Sequence, residues 1–191
     1  LFIQRFSPYY GSKFAYRVLF SSIHKNLFGE HLRGTLSGGA HLSVETVKFL
    51  ISLGFPIACG YGMTEAGIVC VEVGTNLKRR LKNSIGKTFP SVEMKIEPVP
   101  GISTENIGQV CLRGESLHTG RMLQGELRPP ERDAEGWFAT GDLGRLERDV
   151  LYLQGRCKDT IIKESGENIY PDELEDYFRN LQGVEEFCVL G

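Results

Sequence analysis

The string Gly60-Tyr61-Gly62-Met63-Thr64-Glu65 holds the residue types best suited to phosphate and metal. It is too rich in glycine for a helix or strand interior, so it is expected to turn tightly and leave the Thr64 hydroxyl and the Glu65 carboxylate exposed. Taken alone, the string is equally an ordinary loop. Thr140-Gly141-Asp142 supplies a second carboxylate, although Asp142 by itself reads as a turn residue. Gly155-Arg156-Cys157-Lys158-Asp159 adds two cations, for which solvated surface charge is the plain alternative at Lys158, as at Lys163.

These residues need elements to position them. Phe14, Val18, Leu19, Ile23 and Leu27 recur at helical spacing over about Ser12 to Leu27. A short strand over Leu32 to Leu36 runs into the turn Ser37-Gly38-Gly39-Ala40. A helix from about Ser43 to Leu53, ending at Gly54, and a strand over Phe55 to Cys59 follow. The crossover predicts parallel pairing of the two strands, and in open α/β sheets ligands gather where such strands end. After about Lys82 the pattern changes to short strands, Val92 to Ile96, Ile107 to Arg113 and Leu151 to Gln154, expected to form an antiparallel or barrel-like unit. Beyond Lys158 the reading is a strand over Thr160 to Lys163 and a helix over Pro171 to Leu181. Pro171 suits the first helical turn, and Asp172, Glu173 and Glu175 favour its N-terminal end. Phe187 to Gly191 reads as a further strand.

Composition narrows the function. The 191 residues are 41% hydrophobic and 24% charged, ordinary for a globular chain. With 22 Lys and Arg against 24 Asp and Glu, a formal charge of -2 supplies no broad basic field for nucleic acid, which is not an expected partner. The five cysteines, Cys59, Cys70, Cys111, Cys157 and Cys188, are odd in number and lack C-x-x-C spacing, so reduced thiols in a cytoplasmic protein are expected. No apolar run reaches the roughly 20 residues needed to cross a bilayer. Peripheral contact with a membrane surface stays open.

Taken together, these strings resemble the adenylate-forming enzymes, the family of acyl-CoA synthetases, luciferases and peptide-synthetase adenylation domains. The longest match runs from Gly155 through Lys158, Gly166-Glu167-Asn168 and Pro171 to Glu175, and Gly108 to Gly114 matches as a structural strand and turn. The resemblance implies that Tyr61 stacks on adenine, that Thr64 touches the α-phosphate and that Glu65 helps hold magnesium, with Gly62 in the same loop. It implies that Gly38, Gly39 and Ala40 flank the adenine, where missing side chains let a flat base approach the backbone. It further implies that Asp142 accepts from both ribose hydroxyls, that Arg156 lies near the ribose, and that Lys158 sits at a hinge. Residues 167 and 168, with Gly166, would then be the loop carried to the thiol channel when a small domain rotates.

The fold implied is α/β. Residues 1–157 would be part of a large AMP-binding domain, with a parallel α/β part over 1–80 and a small β-barrel-like subdomain over 81–157. Residues 158–191 would be the hinge and the beginning of a small α+β C-terminal domain. The activity implied is that of an acyl-CoA synthetase, closest in wording to long-chain fatty-acid types: ATP, Mg2+ and CoA with a small-molecule carboxylic acid. An acyl carrier protein as thiol acceptor, or a non-catalytic nucleotide-binding relative, are the alternatives. The resemblance also predicts a phosphate loop before Leu1 and a catalytic lysine after Gly191, so that these residues alone are expected to be inactive.

Overall fold

The computed structural model describes residues 20–32, 34–53, 55, 57–73, 76–104, 106–165, 167–178 and 181–191. The first 19 residues, Gly54 and Gly166 lie outside that set, and with them most of the helix expected from Ser12. Its described end is helix α1 (Ser21–Phe28), capped where the Gly29 N–H donates to Lys25 O at 2.9 Å.

The strand-helix-strand reading holds. Strand β1 (Thr35–Ser37) pairs in parallel with β2 (Ile57–Met63), Ser37 lying opposite Cys59, and helix α2 (Val44–Ser52) bridges them. Ser43 caps α2, its hydroxyl accepting from the Thr46 N–H at 3.1 Å. Val47 and Ile51, one helical turn apart, are buried with Ile57 in a small core under β2.

From β2 onward the sheet is antiparallel. It takes in β3 (Gly67–Glu72), β4 (Ser84–Thr88), which follows the short helix α3 (Leu77–Arg80), β5 (Val92–Glu97) and β6 (Gly108–Gly114). A separate hairpin, β7 (Arg121–Leu123) and β8 (Glu126–Arg128), precedes the long strands β9 (Phe138–Glu147) and β10 (Val150–Arg156). The eight strands stand in the order β1-β2-β3-β4-β10-β9-β6-β5. The parallel unit and the β-rich stretch are thus one mixed α/β sheet joined through β4. Among the described residues it is open, with β1 and β5 at its two edges, and no closed barrel forms. Val69, Cys70, Val110, Leu112 and Leu151 form the main core, at most 0% exposed.

After β10 come a single 3-10 turn (Cys157–Asp159), the two-residue strands β11 (Ile161–Ile162) and β12 (Asn168–Ile169), and helix α4 (Pro171–Phe178), with Pro171 at its first position as expected. The strand read over Phe187 to Gly191 does not form. Its backbone finds a side chain rather than a ladder, the Val189 N–H donating to Glu175 Oε1 at 3.0 Å. No helix among the described residues is long and apolar enough to cross a membrane.

Candidate functional site

The Tyr61-Gly62 string, read as a tight turn, and Thr140-Gly141-Asp142, whose Asp142 by itself reads as a turn residue, are both built into strands. Tyr61, Gly62 and Met63 are the last three residues of β2, and only Thr64 to Ala66 turn, leading into β3. The strand tolerates this composition because the partner backbone comes so close. A Cβ on Gly62 would lie 2.4 Å from Gly67 O, so a side chain has no room there. The turn is held by the Ala66 N–H donating to Met63 O at 3.1 Å and by the His118 N–H donating to Glu65 O at 2.7 Å. Thr64 is exposed as the loop reading required, whereas Glu65, expected to be exposed as well, is half-buried.

Thr140-Gly141-Asp142 lies inside β9 as a bulge. Cys111 pairs with Ala139 and Gln109 with Leu143, so three residues of β9 face Val110 alone. Thr140 Oγ1 ties the bulge down by donating to Val110 O at 2.9 Å, and it accepts from the Asp142 N–H at 3.1 Å. Gly141 carries the turn, at φ 81, with nothing within 4 Å of where a Cβ would stand. The residue serves a strand and a turn at once, and bulges of this kind re-aim side chains.

The bulge brings together residues from three strands. The Tyr61 hydroxyl, 81 positions away in sequence, donates to Asp142 Oδ2 at 2.6 Å. Across the β9–β10 ladder Arg156 is the register partner of Asp142, and its Nε lies 3.3 Å from Oδ1. A register shift between Leu153 and Gly155 precedes that pairing, and another between Tyr61 and Gly62 accompanies the turn, so all three ladders are irregular where they meet. Asp142 is nearly buried, its side chain 13% exposed, whereas Arg156 is 60% exposed. Burial, then the neighbouring Asp142 charge, push the Tyr61 phenol well above its ordinary pKa, which keeps it a donor.

Tyr61 is 7% exposed, and its hydroxyl meets Asp142 directly. Gly38 lies beside β2, where a Cβ would come 3.2 Å from Gly60 O, and Gly38, Gly39 and Ala40 are exposed. The adenine-side turn therefore borders the strand that carries Tyr61. Thr64 and Glu65 follow three and four positions after Tyr61, and Lys158 follows Arg156 by two, exposed in the 3-10 turn. Among the described residues no hydrogen bond or ion pair joins these three side chains to the Tyr61–Asp142–Arg156 group. The network around Asp142, the bulge that creates it and the His118 anchor under Glu65 were not read from the sequence. The distance from Tyr61 to Asp142 hides the first, and nothing in the sequence signals the last.

A single carboxylate on an exposed turn fits magnesium, which commonly takes one or two carboxylates and completes its shell with phosphate oxygens and water. Among the described residues no group of three or more His, Cys, Asp or Glu gathers elsewhere as a metal cluster.

Comparison with known proteins points the same way. Long-chain-fatty-acid–CoA ligase 1 of Schizosaccharomyces pombe is 32% identical over 178 residues, covering 90% of this chain and 26% of that protein. Bacillus subtilis o-succinylbenzoate CoA synthetase (MenE), solved with the acyl-adenylate intermediate OSB-AMP, superposes with a TM-score of 0.72 at 28% identity, covering 92% of this chain and 37% of that one. The same enzyme in complex with ATP and magnesium ion gives a TM-score of 0.71 at 30% identity, with the same shares covered. The chain spans about a third or less of the length of the curated relatives it matches. The AMP-binding enzyme family matches residues 11–120, a stretch that takes in the Gly38–Ala40 turn, Tyr61, Thr64 and Glu65, and the chain belongs to that family.

Proposed function

We propose that the protein carrying this chain activates a carboxylic acid with ATP, forming an acyl-adenylate and pyrophosphate, and then passes the acyl group to CoA with release of AMP. The observation that carries this reading is Asp142, an acceptor-only group nearly buried beneath a bulge and held by Tyr61 and Arg156 from two other strands. A carboxylate so fixed suits the hydroxyls of a ribose. The exposed Gly38–Ala40 turn, next to the strand of Tyr61, then offers bare backbone to the adenine, and Tyr61 lies beside the base. Thr64 faces the α-phosphate, and Glu65 holds magnesium, which would offset charge as pyrophosphate leaves. Arg156 contacts the ribose from the exposed side.

Adenylation joins a weakly nucleophilic carboxylate to phosphorus, so the chain's contribution is to position and to stabilise charge. Lys158, in the short turn leaving β10, marks the hinge between residues 1–157 and the start of a small C-terminal domain at 158–191. A fatty acid is the proposed substrate class, supported by the long-chain wording around Lys158 to Lys163 and by fatty-acid ligases among the relatives. The test is acid-dependent ATP–pyrophosphate exchange by the full-length protein across acids of increasing chain length, followed by CoA or an acyl carrier protein as acceptor. Exchange that rises with chain length and thioester formed on CoA are expected. Exchange absent with every acid overturns the proposal.

A further inference from the structure

We infer that Tyr61 acts through its hydroxyl as a positioning residue for Asp142, fixing the carboxylate so that each oxygen keeps a lone pair for one of two vicinal ribose hydroxyls. The inference rests on the reading that Asp142 receives a nucleotide ribose. An ionised carboxylate is a pure acceptor with about four lone-pair sites. The Tyr61 hydroxyl takes one on Oδ2 at 2.6 Å, and Arg156 Nε faces Oδ1 at 3.3 Å. Among the described residues each oxygen thus has one protein partner against about two lone-pair sites, and the remaining site on each is what two neighbouring hydroxyls need, one donor to each.

The hydroxyl matters because the other restraint is soft. The terminal torsion of an aspartate is broad, so a carboxylate held at one oxygen can turn about its axis. Arg156 is 60% exposed and at the end of a strand, so by itself it holds Asp142 loosely. Tyr61 is rooted in the main core, with Val69 and Cys70 in the same cluster, and cannot swing its oxygen aside without opening that core. Its bond sets the carboxylate before any ligand arrives, so less freedom is lost on binding.

Calorimetry of the full-length protein with AMP and with 2′,3′-dideoxy-AMP, repeated on Tyr61→Phe, tests this directly. Two hydrogen bonds to a charged acceptor give the unaltered protein about a 100-fold preference for AMP. Tyr61→Phe keeps the ring and is expected to shrink that preference to about tenfold by freeing the carboxylate. A preference in Tyr61→Phe equal to or larger than that of the unaltered protein overturns the inference while leaving Asp142 as the ribose acceptor. No preference in the unaltered protein overturns the ribose reading, and the inference with it. Should Tyr61→Phe fail to fold, 3-fluorotyrosine at position 61 replaces it, keeping the shape and strengthening the donor. The preference for AMP is then expected to rise, and an unchanged preference overturns the inference.

Discussion

Glu72 and Asp142 receive nearly the same donors in the same sheet. Glu72 accepts from the Ser84 hydroxyl at 2.7 Å and from Arg79 at 3.1 Å; Asp142 accepts from the Tyr61 hydroxyl at 2.6 Å and pairs with Arg156 at 3.3 Å. What differs is the lid over each. The Glu72 side chain is 3% exposed beneath α3, whose Arg79 is 35% exposed, whereas Asp142 sits at an open bulge with Arg156 60% exposed. One carboxylate, one hydroxyl and one guanidinium make a structural tie when the surroundings close over them. When a bulge holds them open, the same groups have acceptor capacity to spare for a ligand.

Two substitutions break the contrast between these carboxylates directly, and two elsewhere sharpen it. Glu72→Ala leaves Arg79 and Ser84 without their acceptor in a closed site and should cost about 3 kcal/mol of stability by urea unfolding. Asp142→Asn should move stability far less and instead weaken AMP binding by about 2 kcal/mol in calorimetry. If the two substitutions exchanged effects, the distinction between closed tie and open site would fail.

A third carboxylate, that of Asp133, is held chiefly by backbone, with Lys95 Nζ 3.8 Å from Oδ2. Asp133 Oδ1 accepts from the N–H groups of Glu135 and Trp137 at 2.9 and 2.8 Å, and those bonds, the Trp137 one foremost, hold its carboxyl below the usual range. A carboxyl with a lowered folded pKa adds stability above its unfolded value, about 3.9, and loses it as the pH falls through the lower folded value. Acidification over that window should therefore loosen the loop before β9. The chain's single tryptophan, Trp137, with Lys95 4.4 Å and Arg113 4.5 Å from its ring, makes fluorescence the readout, and Asp133→Asn should abolish the acid step. Smallest of all is the exposed Lys163–Glu167 pair at 2.7 Å. Removing it with Lys163→Ala should leave the urea midpoint where it was, as solvent screening predicts.

Much of the architecture was legible. The helix from about Ser43, Pro171 at a helix start and the parallel return from β1 to β2 follow from local rules that need no distant partner. The motif strings were legible as chemistry but not as geometry. Glycine content argued Tyr61-Gly62 out of a strand and Asp142 alone read as a turn residue, yet the deciding facts are non-local: the Gly67 carbonyl crowding Gly62, and the Val110 carbonyl receiving Thr140. Glu72 drew no notice because a buried carboxylate is recognisable only with its partners, and Arg79 and Ser84 come from elements whose pairing no local pattern announces. The Phe187–Leu190 run failed as a strand for the converse reason, since alternation and apolarity do not make a strand without a second edge.

Strand β10 has neighbours on both edges, β4 and β9, and ends at Arg156, immediately before the turn at Cys157. Beyond that turn β11 is two residues long and, among the described residues, pairs only with β12. Mechanically this is a stiff post with a compliant coupling bolted to its tip. A torque applied from the C-terminal side would be spent in the coupling, and in side-chain links such as Gln154 to Glu173, before it could shear two full ladders. Under such a load it is the backbone of Arg156, in register with Asp142 across the β9–β10 ladder, that the post holds in place.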